Sequence, residues 1–202
     1  MLPPWVWVVL VAVDYGVIHS LLAADRVKRS AEQRYPTLFP RYYRLAYNFL
    51  AFVFLIPIGL LMLYLPDTRL YTIPFPYILA TLAGQGVCLL AAGLALKGTG
   101  VADLTGIPDA MAAPSTPAPL KTDGAYSLVR HPVYTLAMVA MALFPWMTAN
   151  RLALFITFAV YMVVGAGLEE RRLLRTYGEE YASYRRRVPM FLPRLFTRSE
   201  FD

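Results

Sequence analysis

The chain reads as an all-α integral membrane fold of five transmembrane helices, N-out and C-in, followed by a C-terminal cytoplasmic amphipathic helix. Three observations carry that reading. Of 202 residues, 58% are hydrophobic and only 16% charged, with a mean hydropathy of +0.49, too apolar and too weakly charged for a soluble domain of this size. Five apolar segments, at 4–24, 42–65, 75–96, 132–148 and 151–168, approach the roughly 20 residues that a hydrocarbon core requires of a helix. Finally, 17 of the 19 lysines and arginines fall in alternate connections.

The first segment lacks a basic leader and a small-residue cleavage site and carries Asp14, so it reads as a membrane helix rather than a cleaved signal. A carboxylate at that depth is costly and calls for a partner. Asn48 and Gln85 could serve it in a structural hydrogen-bond knot. Cys88, the single cysteine, lies in the third apolar run, which leaves no disulfide framework or cysteine metal site and suits a small core residue. The fourth segment is short for a full span. Its Pro145 and Trp146 suit a kink and an interfacial anchor, and Thr148-Ala149-Asn150 joins it to the fifth in a tight antiparallel hairpin. Residues 169–187 form the amphipathic helix, with Leu173, Leu174, Tyr177, Tyr181 and Tyr184 on one face and arginines opposite. Pro189 and Pro193 end it.

The cations set the orientation. Six lie between the first two helices (Arg26 to Arg44), three between the third and fourth (Lys97, Lys121, Arg130) and eight beyond the fifth (Arg171 to Arg198), while the remaining connections hold only Arg69 and Arg151. The positive-inside rule makes the rich side cytoplasmic, as in the cytoplasmic membrane of a bacterium. The net charge of +6 is then a signal of topology and lipid headgroups rather than of nucleic-acid binding. The whole chain, 1–202, reads as one membrane domain. Its longest connection, 97–131, has a proline-rich middle, Ala112 to Pro119, expected to be extended; loops this long are usually functional or disordered. Lys97-Gly98-Thr99-Gly100 opens it, as a helix stop or as glycines that let backbone approach a ligand.

Orientation also places the polar groups in depth. His19 and Ser20 near the end of the first helix, Arg130 and His131 at the start of the fourth, and Glu169 and Glu170 at the end of the fifth all fall in the cytoplasmic leaflet. Each alone has a structural explanation, as a topology charge or, for His131-Pro132, a helix start with proline in its first turn. Together they outline a pocket open to the cytosol. Its basic, aromatic lip is Thr122 to Tyr134, and the Glu169-Glu170 pair faces it. No phosphate-binding, dinucleotide-binding, serine-hydrolase or zinc-protease motif occurs, and two histidines without close carboxylate spacing make a poor metal site.

Thr122 to Tyr134, with its Arg130-His131-Pro132-x-Tyr134 core, followed by Glu169-Glu170, Tyr177-Gly178-Glu179-Glu180-Tyr181, Tyr184 and Arg187-Val188-Pro189, resembles the isoprenylcysteine carboxyl methyltransferases and their phospholipid methyltransferase relatives over residues 97–193. The first helix, with His19-Ser20-Leu21-Leu22-Ala23 and then Lys28, looks more like the bacterial NnrU-like and methanethiol S-methyltransferase-like branch. The resemblance implies S-adenosylmethionine (SAM) bound within the membrane bundle. The implied cofactor-binding residues are Leu120, Lys121, Tyr126, His131, Pro132, Tyr134, Glu169 and Glu170. Glu169 suits the SAM amino group, backbone donors with His131 or Arg130 suit its carboxylate, and tyrosines can pack on adenine or face the sulfonium.

His19, His131 and Arg130 are the candidate catalytic residues, the histidines as bases if the acceptor arrives protonated. Two departures bear on the acceptor. Gly165 stands where the prenylcysteine enzymes carry the arginine that binds the substrate carboxylate, and Ala118 where they carry a histidine. A lipidic acceptor, a small thiol or an amine headgroup is favoured. The NnrU-like resemblance also implies an alternative, a haem-binding isomerase or redox accessory protein with His19 and His131 as axial ligands.

Overall fold

A computed structural model of the protein describes residues 2–97 and 119–193. The chain is mainly helical: α1 (Pro4–Ala23), α2 (Asp25–Arg34), α3 (Phe39–Tyr64), α4 (Tyr77–Lys97), α5 (Ala125–Leu128), α6 (Pro132–Ala142), α7 (Ala149–Tyr177) and α8 (Glu179–Arg187), with two short strands, β1 (Arg69–Thr72) and β2 (Trp146–Thr148). Among the described residues, four helices are long and apolar enough to cross a membrane, over Pro4–Ala23, Tyr42–Tyr64, Tyr77–Leu96 and Ala149–Tyr177. Their side chains stay largely uncovered, with Phe49, Phe52, Leu63, Val87 and Leu90 each more than 60% exposed. Water would penalise such a surface, and lipid would not.

Several expectations are corrected, and one unanticipated helix appears. The fourth apolar segment is not a full-length helix: α6 has 11 residues, about 16 Å at 1.5 Å per residue. It stops at Leu143 because Pro145 cannot continue a helix and disfavours helical backbone before it. The chain then enters β2, which pairs antiparallel with β1 (Thr72 opposite Trp146, Arg69 opposite Thr148), so the fold is not purely helical. The charged connection after α1 is also helical. In α2, Asp25 in the first turn and Arg34 in the last complement the helix dipole. Finally, α7 runs through the glutamate pair to Tyr177, so Glu169 and Glu170 lie two turns inside it. The amphipathic segment 169–187 is therefore split between the end of α7 and α8.

Gly178 makes that split. Its φ of +55° and ψ of −126° belong to the first position of a type II′ turn, a region that side-chain-bearing L-residues rarely adopt. Gly124 does the same at the start of α5, with φ +57° and ψ −129°.

The described residues fall into two compact units, with α7 contributing to both. The first, residues 2–74 and 145–161, packs α1 through Val8, Ala12 and Gly16, which are buried at four-residue spacing. A methyl group on Gly16 would sit 2.9 Å from the Tyr161 ring, so only glycine allows this approach. Asp67 accepts from the backbone nitrogens of Thr68 and Asn150 (2.8 and 3.1 Å), and buried Asn150 donates to the Pro66 carbonyl (3.2 Å). That ties the turn before β1 to the start of α7.

The second unit, residues 75–97, 119–144 and 162–193, packs α4 on α6. Gln85 donates to the Ala140 carbonyl (2.9 Å). Cys88 and Ala95 are buried here, as are Val129, Ala166, Tyr181 and Tyr184. Asp14 lies on an exposed face of α1. Nothing lies within 4 Å of a methyl group built on Gly178, so the cost of Gly178→Ala is one of backbone alone. It should destabilise the protein by about 1–3 kcal/mol and lower the melting midpoint by roughly 2–4 °C per kcal/mol. An unchanged midpoint in detergent, followed by circular dichroism, would show that the turn tolerates an ordinary backbone.

Candidate active site

The second unit gathers Arg130, His131, Tyr134, Glu169 and Glu170 from the start of α6 and the inner turns of α7. Pro132 at the start of α6 has fixed φ and no N–H to lose there, and it leaves His131 as the residue preceding the helix. His131 is 7% exposed and Glu170 6%. His131 Nε2 lies 3.3 Å from Glu170 Oε1, and Arg130 Nε donates to the same oxygen at 2.7 Å. On the other side of the ring, His131 Nδ1 lies 3.7 Å from Glu169 Oε2. The Tyr134 hydroxyl donates to that oxygen at 3.2 Å, and the Tyr134 ring stacks on His131 with centroids 5.5 Å apart.

The two glutamates are not equivalent. Glu169 keeps 47% of its side chain exposed and Glu170 8%. Successive residues on a helix point about 100° apart, so one carboxylate enters the packed interior while the other borders open space.

A second layer comes from residues 181–191. Arg130 Nη1 donates to the carbonyls of Val188 (2.5 Å) and Arg185 (3.2 Å). The backbone nitrogens of Arg130 and His131 donate to the carbonyls of Pro189 (2.8 Å) and Met190 (3.2 Å), and Thr135 Oγ1 donates to that of Phe191 (3.1 Å). The Tyr184 hydroxyl donates to the Tyr126 carbonyl at 2.6 Å. Burial, partly offset by the Arg130 guanidinium, pushes the Tyr184 hydroxyl up to about 12. Burial and then the Glu170 carboxylate push Tyr181 up as well. The Tyr181 hydroxyl is buried without a hydrogen-bond partner among the described residues.

The remaining sequence candidates divide. Lys121 stands over the Tyr126 ring, with Nζ 5.9 Å from its centroid, and Leu120 is half-buried just before it. His19 belongs to the first unit, where its Nε2 lies 2.6 Å from the Tyr47 hydroxyl and Tyr15 and Tyr161 flank its ring. The axial-ligand roles of the haem alternative thus meet a His131 ring with a carboxylate at each nitrogen and a His19 ring already bonded to Tyr47. Ala118, the Lys97-to-Gly100 glycines and most of the 101–120 loop lie outside the described residues. Sequence reasoning missed the carbonyls of Arg185 and Val188, because a backbone acceptor leaves no mark on residue type. Its only trace was the Arg187-Val188-Pro189 motif.

Curated relatives share this kind of sequence. The chain is similar to methanethiol S-methyltransferases. It is 42% identical over 79 residues to methanethiol S-methyltransferase 1 of Bradyrhizobium diazoefficiens, covering 39% of this chain and 28% of that protein. It is 38% identical over 78 residues to the Crocosphaera subtropica enzyme (39% and 31%), and 43% identical over 68 residues to that of Mycobacterium tuberculosis (34% and 28%). The chain thus spans less than a third of the length of each of these methanethiol S-methyltransferases. The methyltransferase resemblance and its methanethiol S-methyltransferase-like branch, both read from the sequence, agree with these matches. No family model and no solved structure matches the chain.

The tyrosines beside this site make it sensitive to alkali. A hydroxyl whose folded value is raised stabilises the fold fully below its ordinary value and loses that contribution as pH rises through the folded one. Thermal stability should therefore hold up to about pH 10 and fall as pH rises from 10.0, the ordinary tyrosine value, toward about 12. Tyr184→Phe should flatten that fall and cost about 1 kcal/mol at neutral pH, through the lost bond to Tyr126. Melting midpoints across that pH range, for both proteins, provide the check.

Proposed function

We propose that the protein is an integral membrane, SAM-dependent methyltransferase whose acceptor is a small thiol of the methanethiol type. The observation that carries this reading is the convergence of Glu169, His131 Nδ1 and the Tyr134 hydroxyl at the exposed edge of an otherwise buried polar cluster. Such an arrangement of acceptors suits a cationic group with several N–H donors, and the amino group of SAM is one. The relatives named above support the choice of donor chemistry and of a small thiol. Gly165, which offers no side chain to bind a substrate carboxylate, agrees with a neutral acceptor.

The geometry supports the following roles. Glu169 would hold the ammonium of the methyl donor, with His131 Nδ1 and Tyr134 beside it. Lys121 and Tyr126 would border the same seat. Arg130 is already bonded to Glu170 and to two carbonyls, so the donor's carboxylate would rely on backbone donors and not on this guanidinium. SAM, when bound, supplies a methyl group on a sulfonium, a good leaving group for in-line displacement. The chain's own task is then to orient donor and acceptor and to exclude water.

The orientation proposed is N-out and C-in, with the site toward the cytoplasm, supported by the one-sided distribution of 17 of 19 cations. The fifth crossing would be made by α6, about 16 Å long at 1.5 Å per residue, together with the turn after it and strand β2.

Two measurements test the proposal. Isotope-labelled methyl from SAM should appear in dimethyl sulfide when methanethiol is supplied. By calorimetry, S-adenosylhomocysteine should bind the wild type and bind Glu169→Ala at least about tenfold more weakly, the loss of one charge-assisted contact. Well-folded protein that binds neither ligand would overturn the reading.

A further inference from the structure

We propose that Glu170 and Arg130 are positioning residues and not ligand contacts: anchored by the backbone of residues 185–191, they hold the His131 ring with Nε2–H on Glu170 and a bare Nδ1 turned toward Glu169. Neighbouring glutamates in a motif invite the same role for both, and burial separates them. Glu170 keeps only 8% of its side chain exposed, and its Oε1 meets both Arg130 Nε (2.7 Å) and His131 Nε2 (3.3 Å).

The hydrogen on Nε2 follows by exclusion. A guanidinium N–H can only donate. A carboxylate oxygen receiving it has only lone pairs to offer a second neighbour, so the imidazole nitrogen facing it must carry a hydrogen. In a neutral ring the other nitrogen is then an acceptor. That acceptor lies 3.7 Å from Oε2 of Glu169, whose side chain is half exposed, so two lone-pair groups stand side by side. Two acceptors side by side gain most from a ligand that is a multiple donor.

The anchor is equally specific. Arg130 Nη1 is held by the carbonyls of Val188 and Arg185 (2.5 and 3.2 Å). The backbone of Arg130 and His131 is registered on Pro189 and Met190 (2.8 and 3.2 Å). Thr135, one turn into α6, is bonded to Phe191 (3.1 Å). The segment after α8 therefore fixes the start of α6 at three successive carbonyls, and through Arg130 it fixes Glu170. The ligand-affinity part of this inference rests on the SAM reading of the site; the ring state does not.

Nitrogen-15 spectroscopy of the imidazoles reads the ring state directly, and the chain has only two histidines. The full-length protein, without ligand at about pH 9, where ordinary imidazole is neutral, should show His131 as the Nε2–H tautomer, its signals identified by their loss in His131→Asn. Glu170→Gln, which keeps an acceptor oxygen, should retain that tautomer and bind S-adenosylhomocysteine within about threefold of wild type. Glu170→Ala should lose the tautomer preference and bind at least about tenfold more weakly. An Nδ1–H or doubly protonated His131 in the wild type overturns the proposal, even if Glu170→Ala does not fold. So does weak binding by Glu170→Gln with its tautomer intact, which would make Glu170 a ligand contact. If the wild type bound no S-adenosylhomocysteine while its tautomer was as described, the SAM reading would fail and the positioning role would stand.

Discussion

The buried pair of Arg130 and Glu170 is the interaction on which the candidate site depends. With side chains 11% and 8% exposed, both charges have lost most of their water, a cost that attraction alone seldom repays. The carbonyls of Val188 and Arg185 and the imidazole of His131 supply the remaining hydrogen bonds. Removing one partner of such a pair leaves a buried charge, typically a loss of about 3–5 kcal/mol. The pair therefore specifies geometry more than it adds stability. It sets where α6 begins, how the His131 ring is turned and where the chain must run after α8.

Much of this was legible in the sequence where the signal is carried by residue type. Long apolar runs yield the four long helices, because hydrocarbon and backbone hydrogen bonding leave a membrane chain few other options. The grouping of Arg130, His131, Tyr134, Glu169 and Glu170 followed from their positions at the ends of apolar segments. Individual roles did not follow. Arg130 looked like a ligand-facing charge because its acceptors are backbone carbonyls 55 and 58 residues away, and any residue type provides those. Glu169 and Glu170 looked alike because burial is set by helical phase and tertiary packing rather than by identity.

The missed elements have similarly local causes. Helix α2 was hidden by its charge, since a search for apolar spans passes over a polar helix. The strands β1 and β2 are four and three residues long, too short for an alternating pattern to register. Pro145 was assigned a kink within a span, whereas here it marks the end of the helix. Gly178 was read as one letter of a motif, but its positive φ divides a single expected helix into two.

The adjacency of Glu169 and Glu170 has a consequence for how such a site can vary. Two chemically identical groups are told apart only by the angular step between successive helix positions. A one-residue insertion in α7 on the N-terminal side of the pair would move Glu169 into the interior position and Glu170 to the exposed one now held by Arg171, and a deletion would bring Arg171 to the interior. Sequence drift in this stretch is therefore confined to substitution. Length is the forbidden variable, and the spacing along α7 carries as much information as the letters.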